Sequence, residues 1–124
     1  MTKISTEFAK TFAEEWVSSW NSHDLEKILS HYSDDFIIET PMAAKRLPET
    51  YGLVKGKEAV KQYWKIGLEK NPKLEFEILD VLKGISGLTI YYINKSTNNK
   101  AVEVMFFNDQ LKVKQAIVHY SDAV

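Results

Sequence analysis

The chain has 124 residues, 44% of them hydrophobic and 27% charged, the balance of one globular domain spanning residues 1–124 rather than of a disordered segment. It contains no cysteine, which excludes disulfides and any thiolate metal site. The formal net charge is −1, the lysines are scattered among acids and Arg46 is the sole arginine, so the basic stripe of a nucleic-acid binder is missing.

Ser5 or Thr6 caps a first helix on which Phe8, Phe12, Trp16 and Trp20 recur every fourth residue, a stripe that Ala9, Ala13 and Val17 widen. Asn21-Ser22 ends it, and Asp24 caps a short second helix over residues 25–29. Asp34-Asp35 marks a turn before a strand at residues 36–40 that Pro41 terminates. Residues 42–55, with Pro48 and Gly52, read as a long connection of the kind that rims sites, with a short edge strand around Tyr51-Gly52-Leu53. Gly56 precedes a third helix over residues 57–70, buried through Ala59, Val60, Tyr63, Trp64, Gly67 and Leu68 and stopped by Asn71-Pro72.

Strands follow at residues 73–82 and 88–94, separated by a turn between Gly84 and Gly87. A polar loop at 95–100 leads into a final hairpin over residues 101–122, turning at Asn108-Asp109-Gln110. Helices first and strands last argue an α+β fold, in the order α-α-β-β-α-β-β-β-β. The expected form is a strongly bent, mixed or antiparallel sheet with three helices on its concave face. Helices that fill only part of that face leave a pocket.

The first strand of the last hairpin is apolar on both faces except at Glu103. A carboxylate there is costly unless it is hydrogen-bonded, neutralised or opens onto a cavity. Alternation puts Glu103, Met105 and Phe107 on one face, and the turn puts Ala116, Val118 and Tyr120 on the same face. His119 then points the other way, to the convex side. His23 and His31 lie near helix ends, and the three histidines lack metal-ligand spacing, so no metal is expected. Trp16, Trp20, Tyr32, Tyr63 and Trp64 are either plain core or the lining of a cavity for a flat, mostly apolar molecule, with Thr40 and Met42 at its mouth.

Several segments carry a resemblance. They are Trp16-Val17-Ser18-Ser19-Trp20-Asn21-Ser22-His23-Asp24-Leu25, His31-Tyr32-Ser33-Asp34-Asp35-Phe36, Glu39-Thr40-Pro41, Tyr63-Trp64-Lys65-Ile66-Gly67-Leu68, and Glu103-Val104-Met105-Phe106-Phe107 with Val118-His119-Tyr120-Ser121-Asp122. Together they resemble the nuclear-transport-factor-2-like superfamily, whose members include ketosteroid isomerases and SnoaL-type polyketide cyclases. The resemblance covers nearly the whole chain and implies the cone-shaped, cystatin-like fold. It specifies activity poorly, because the fold hosts enzymes, binding proteins and scaffolds. At the position of the isomerase base this chain has Thr40, and at that of the tyrosine donor it has Trp16. Glu103 falls at the position of the second, protonated oxyanion donor. Tyr32, Trp64 and Tyr120 match further aromatic positions. With two of three catalytic positions changed, the resemblance does not imply ketosteroid isomerase activity.

Two expectations from different classes remain open. One is a cofactor-independent isomerase, cyclase or dehydratase acting on a small apolar substrate, with Glu103, Tyr32 and Tyr120 catalytic and Trp16, Trp20, Thr40, Met42, Tyr63, Trp64, Met105 and Val118 binding. The other is a non-catalytic ligand-binding or dimerising scaffold protein. Val102, Val104, Phe106 and Ile117 on the convex face point to a homodimer. No apolar run is long enough to span a bilayer and the N-terminal stretch lacks a signal-peptide layout, so no membrane contact and a cytoplasmic location are expected.

Overall fold

The computed structural model describes residues 3–124. The chain runs α1 (Thr6–Ser22), α2 (Leu25–Leu29), β1 (Tyr32–Glu39), α3 (Pro41–Arg46), a 3-10 turn (Pro48–Thr50), β2 (Leu53–Lys55), α4 (Lys57–Lys70), β3 (Phe76–Lys83), β4 (Gly87–Asn94), β5 (Asn99–Phe107) and β6 (Val113–Tyr120). The strands form one curved six-stranded sheet in the order β2-β1-β6-β5-β4-β3. All neighbours are antiparallel except β1 and β6, so the sheet is mixed. Helix α1 packs on β3 and α4 on β1. Among the described residues no helix is long and apolar enough to cross a membrane.

Ser5 caps α1 by accepting the Phe8 N–H, and His23 closes it in the left-handed conformation at φ 58°. The four-residue aromatic period reaches the sheet in two places. Phe8 and Phe12 meet Phe107, while Trp16 stacks on Phe76 and Trp20 meets Trp64 and Phe76. The end of α1 is tied to the start of β3 by Asn21. Its side-chain amide donates to the Phe76 carbonyl at 2.9 Å and its side-chain oxygen accepts the Phe76 N–H at 2.7 Å, as a neighbouring strand would.

The elements depart from the expected ones in several places. Asp34-Asp35 is not a turn: β1 begins at Tyr32 and carries both exposed aspartates through a break in its register with β6 between Tyr32 and Ile37. A bulge lets two acids reach water without ending the strand. Pro41 does end β1, but it also opens α3, with Thr40 as N-cap and Pro41 at the first helical position. The connection at 42–55 therefore holds a helix, and the edge strand begins at Leu53, after Tyr51 and Gly52 turn the chain at positive φ. In α4, Val60, Tyr63 and Trp64 are buried but Ala59, one step around the helix, is exposed. Strand β3 starts at Phe76 rather than at 73, because the turn after α4 continues to Leu74, whose N–H donates to the Asn71 carbonyl.

Glycine is required at 87, where a Cβ would collide with the Met105 carbonyl of the adjacent strand. The β5–β6 turn is longer than three residues. Asn108 accepts the N–H groups of Gln110 and Lys112, and a register shift follows Phe106. Beyond it the pairs are Ala101 with Tyr120, Glu103 with Val118 and Met105 with Ala116, one face as expected, and His119 lies opposite Val102 on the other face.

Candidate functional site

Because the helices cover only part of the concave face, a cavity of about 430 Å³ remains between the sheet, α3 and α4. Its floor is Ala101, Glu103 and Val118 from β5 and β6, with Phe76 and Tyr92 from β3 and β4. Trp20, Tyr63 and Trp64 form walls, and Thr40, Met42 and Tyr120 lie toward α3. Lys45, Arg46 and Lys70 add three cationic side chains, and Asn71, Asn94 and Asn99 add amides.

Glu103 is 6% exposed, and no ion pair engages it among the described residues. Its Oε2 accepts one hydrogen bond, from the Tyr92 hydroxyl at 2.8 Å. Burial in this apolar site raises its pKa to about 7, and the Tyr92 donation opposes the shift only in part. At neutral pH the carboxyl is therefore divided between its acid and base forms.

The surrounding phenols keep their protons. Burial pushes the Tyr92 hydroxyl well up, and the Glu103 charge adds to it. Burial likewise raises Tyr63 and Tyr120, against which the Thr40 hydroxyl and the Arg46 guanidinium pull downward. Both line the cavity as hydrogen-bond donors at neutral pH. The Thr40 oxygen accepts the Met42 N–H at the start of α3.

Of the residues singled out from sequence, Glu103, Tyr120, Trp20, Thr40, Met42, Tyr63, Trp64 and Val118 line the hollow. Trp16, Tyr32 and Met105 do not. Trp16 and Met105 are fully buried and Tyr32 nearly so, in the layer behind the lining. The Trp16 indole donates to the Tyr32 hydroxyl at 3.0 Å, so both polar atoms are satisfied inside the core. Tyr32 thus lies behind the cavity lining, and burial drives its pKa well up. The Trp20 indole N–H is buried without a partner among the described residues.

Sequence reasoning missed Tyr92, Arg46, Lys45 and Lys70. Strand parity could have found the first, since the β4–β5 hairpin puts Tyr92 opposite Ala101 on the face of Glu103. The Thr40-Pro41 helix start could have found Arg46, because six helical residues from Pro41 bring it back over the cavity. Among the described residues no cluster of three or more His, Cys, Asp or Glu could hold a metal ion.

The SnoaL-like domain family matches residues 13–107. The chain is similar to a SnoaL-like protein of unknown function from Burkholderia thailandensis, with 37% identity over 98% of this chain and 100% of that one, at a TM-score of 0.93. A protein of cystatin-like fold from Methylobium petroleophilum shares 12% identity over 98% of this chain and 80% of that one (TM-score 0.76). An NTF-2-like protein from Burkholderia xenovorans shares 16% over 95% and 86% (TM-score 0.72). These last two share the fold alone. No curated protein matches the chain.

Proposed function

The chain belongs to the SnoaL-like domain family of the nuclear-transport-factor-2-like superfamily, and from that premise we propose that its hollow binds a small, mostly apolar carbonyl compound and moves a proton on it through Glu103. The observation that carries this reading is a carboxyl buried on the cavity floor, with one neutral hydrogen-bond donor and no ion pair among the described residues, so that burial pushes its pKa up to about 7. A group so poised can both take and return a proton near neutral pH.

As carboxylate, Glu103 removes a proton from the carbon beside the carbonyl. The C–H electron pair moves into the C–C bond and the carbonyl electrons onto oxygen. The Tyr63 or Tyr120 phenol hydrogen-bonds the resulting enolate. The protonated Glu103 then either delivers that proton to a conjugated carbon, which gives isomerisation, or first trades it for one from solvent water and delivers the solvent's to the same carbon, which gives exchange. Tyr92 holds the carboxyl in place from the adjacent strand.

A binding-only reading is favoured by two observations: among the described residues no second Asp or Glu side chain lines the cavity, and the Thr40 oxygen is engaged in capping α3. Deuterium exchange of 2-tetralone in D2O, followed by proton NMR, separates the two. Wild type accelerates the exchange and Glu103→Gln loses at least about a hundred-fold of that acceleration. Wild type that exchanges no faster than buffer, while still binding the ketone, leaves the protein as a binder.

The convex face supports a second part of the proposal, a back-to-back homodimer. Tyr91, Val102, Val104, Phe106 and Ile117 are all only half-buried in the single chain, and they adjoin one another across β4, β5 and β6.

A further inference from the structure

The one arginine of the chain lines the hollow. Arg46 is the last residue of α3 and is half-buried. Its Nη1 lies over α4 at Gly67, so close that a Cβ there would come within 2.9 Å of it. Among the described residues no carboxylate forms an ion pair with it. Its charge reaches the Tyr63 and Tyr120 phenols that line the same cavity. Lys45 and Lys70 also line it, and among the described residues neither forms an ion pair.

A partly desolvated guanidinium without a counter-charge is costly in the empty protein, and the cost is recovered when an anion arrives. The planar fork matches a carboxylate in two parallel hydrogen bonds. Trp20, Trp64 and Phe76 line the same hollow as Arg46 and Glu103 and give it an aromatic body. We propose that the ligand is an organic acid: a flat apolar body bearing a carboxylate that pairs with Arg46, and a second oxygen function that meets Glu103. This rests on reading the hollow as a small-molecule site and adds the charge of its occupant.

The test uses two fluorescent probes that differ by one anionic group, 8-anilinonaphthalene-1-sulfonate and uncharged N-phenyl-1-naphthylamine, titrated into the full chain. The sulfonate stands in for the carboxylate. Wild type is expected to bind the anion more tightly than the neutral amine. Arg46→Gln should lower affinity for the anion about ten-fold or more while leaving the amine within about two-fold. Retained binding of the amine shows that the variant's hollow is intact. A crystal structure of wild type with the sulfonate probe supplies a measurement independent of the variant's folding, with the sulfonate expected within hydrogen-bond distance of the Arg46 guanidinium. Equal binding of both probes unaffected by Arg46→Gln, equal loss of both, or a sulfonate seated elsewhere overturns the inference alone. Failure of both probes to bind wild type overturns it together with the small-molecule reading of the hollow.

Discussion

Tyr92 pairs across the β4–β5 ladder with Ala101, yet its hydroxyl donates to Oε2 of Glu103, two residues further along the same face, at 2.8 Å. The contact is a diagonal one, within reach only of a long side chain. It gives a buried carboxyl one fixed donor and leaves its remaining acceptor capacity for the cavity. The donor is neutral, so it orients Glu103 without neutralising it. That combination keeps the acid near the middle of its titration at physiological pH.

The stability of the protein should fall as pH rises through the range of Glu103. Burial pushes its pKa up to about 7 in the folded chain, from an ordinary value of 4.5. The native state therefore holds a proton that the unfolded chain has released. The contribution of this group is greatest below pH 4.5 and is lost progressively toward and beyond 7, roughly 3 kcal/mol in all. Glu103→Gln keeps an acceptor for Tyr92 and carries no charge. It should match wild type near pH 4 and exceed it by about 2–3 kcal/mol near pH 8. Urea melts at several pH values check this; a difference that does not vary with pH contradicts it.

Tyr92→Phe removes the one group that pulls the Glu103 pKa down. The midpoint of Glu103 should therefore move to higher pH. The variant should also lose about 1 kcal/mol of stability near pH 8, where a charged Glu103 has lost its donor. The pH at which catalysed ketone exchange reaches half its limiting rate reads the first effect. A midpoint that stays put or moves down means the hydrogen bond is not made in solution.

Much of the fold is written in two periodicities. The four-residue spacing of Phe8, Phe12, Trp16 and Trp20 announces α1, and alternation in the last hairpin places Glu103 opposite Val118 on the concave side. The register survives because a buried face tolerates no one-residue slip. What is hidden is what short-range signals leave double-valued. Thr40-Pro41 both ends a strand and begins a helix, so the segment carrying Arg46 looks structureless. Tyr91 and Tyr92 are adjacent aromatics on a strand, and only the hairpin pairing tells which one faces the acid. Trp16 and Tyr32 look equally suited to line a pocket or a core, and their mutual hydrogen bond, unreadable from spacing, puts them in the core.

Asn21→Ala should cost about 1–2 kcal/mol, although the residue is exposed, because both backbone groups of Phe76 lose their partner where β3 starts. Thermal melts measure the loss, and hydrogen exchange should speed up first at the Phe76 amide. An unchanged melting temperature contradicts the clamp.

Size-exclusion chromatography with light scattering should find a dimer at micromolar concentration. Val104→Lys puts a charge in the centre of the half-buried convex face and should give a monomer with an unchanged circular dichroism spectrum. A wild-type monomer, or a dimer indifferent to this lysine, excludes the back-to-back arrangement.

The most direct measurement is a pH titration of the Glu103 side-chain carboxyl carbon by 13C NMR, assigned by its loss in Glu103→Gln. One resonance with a midpoint near 7 is the expected result. A midpoint at the ordinary glutamate value would mean that water reaches this carboxyl freely, and the proton-transfer proposal would fail with it.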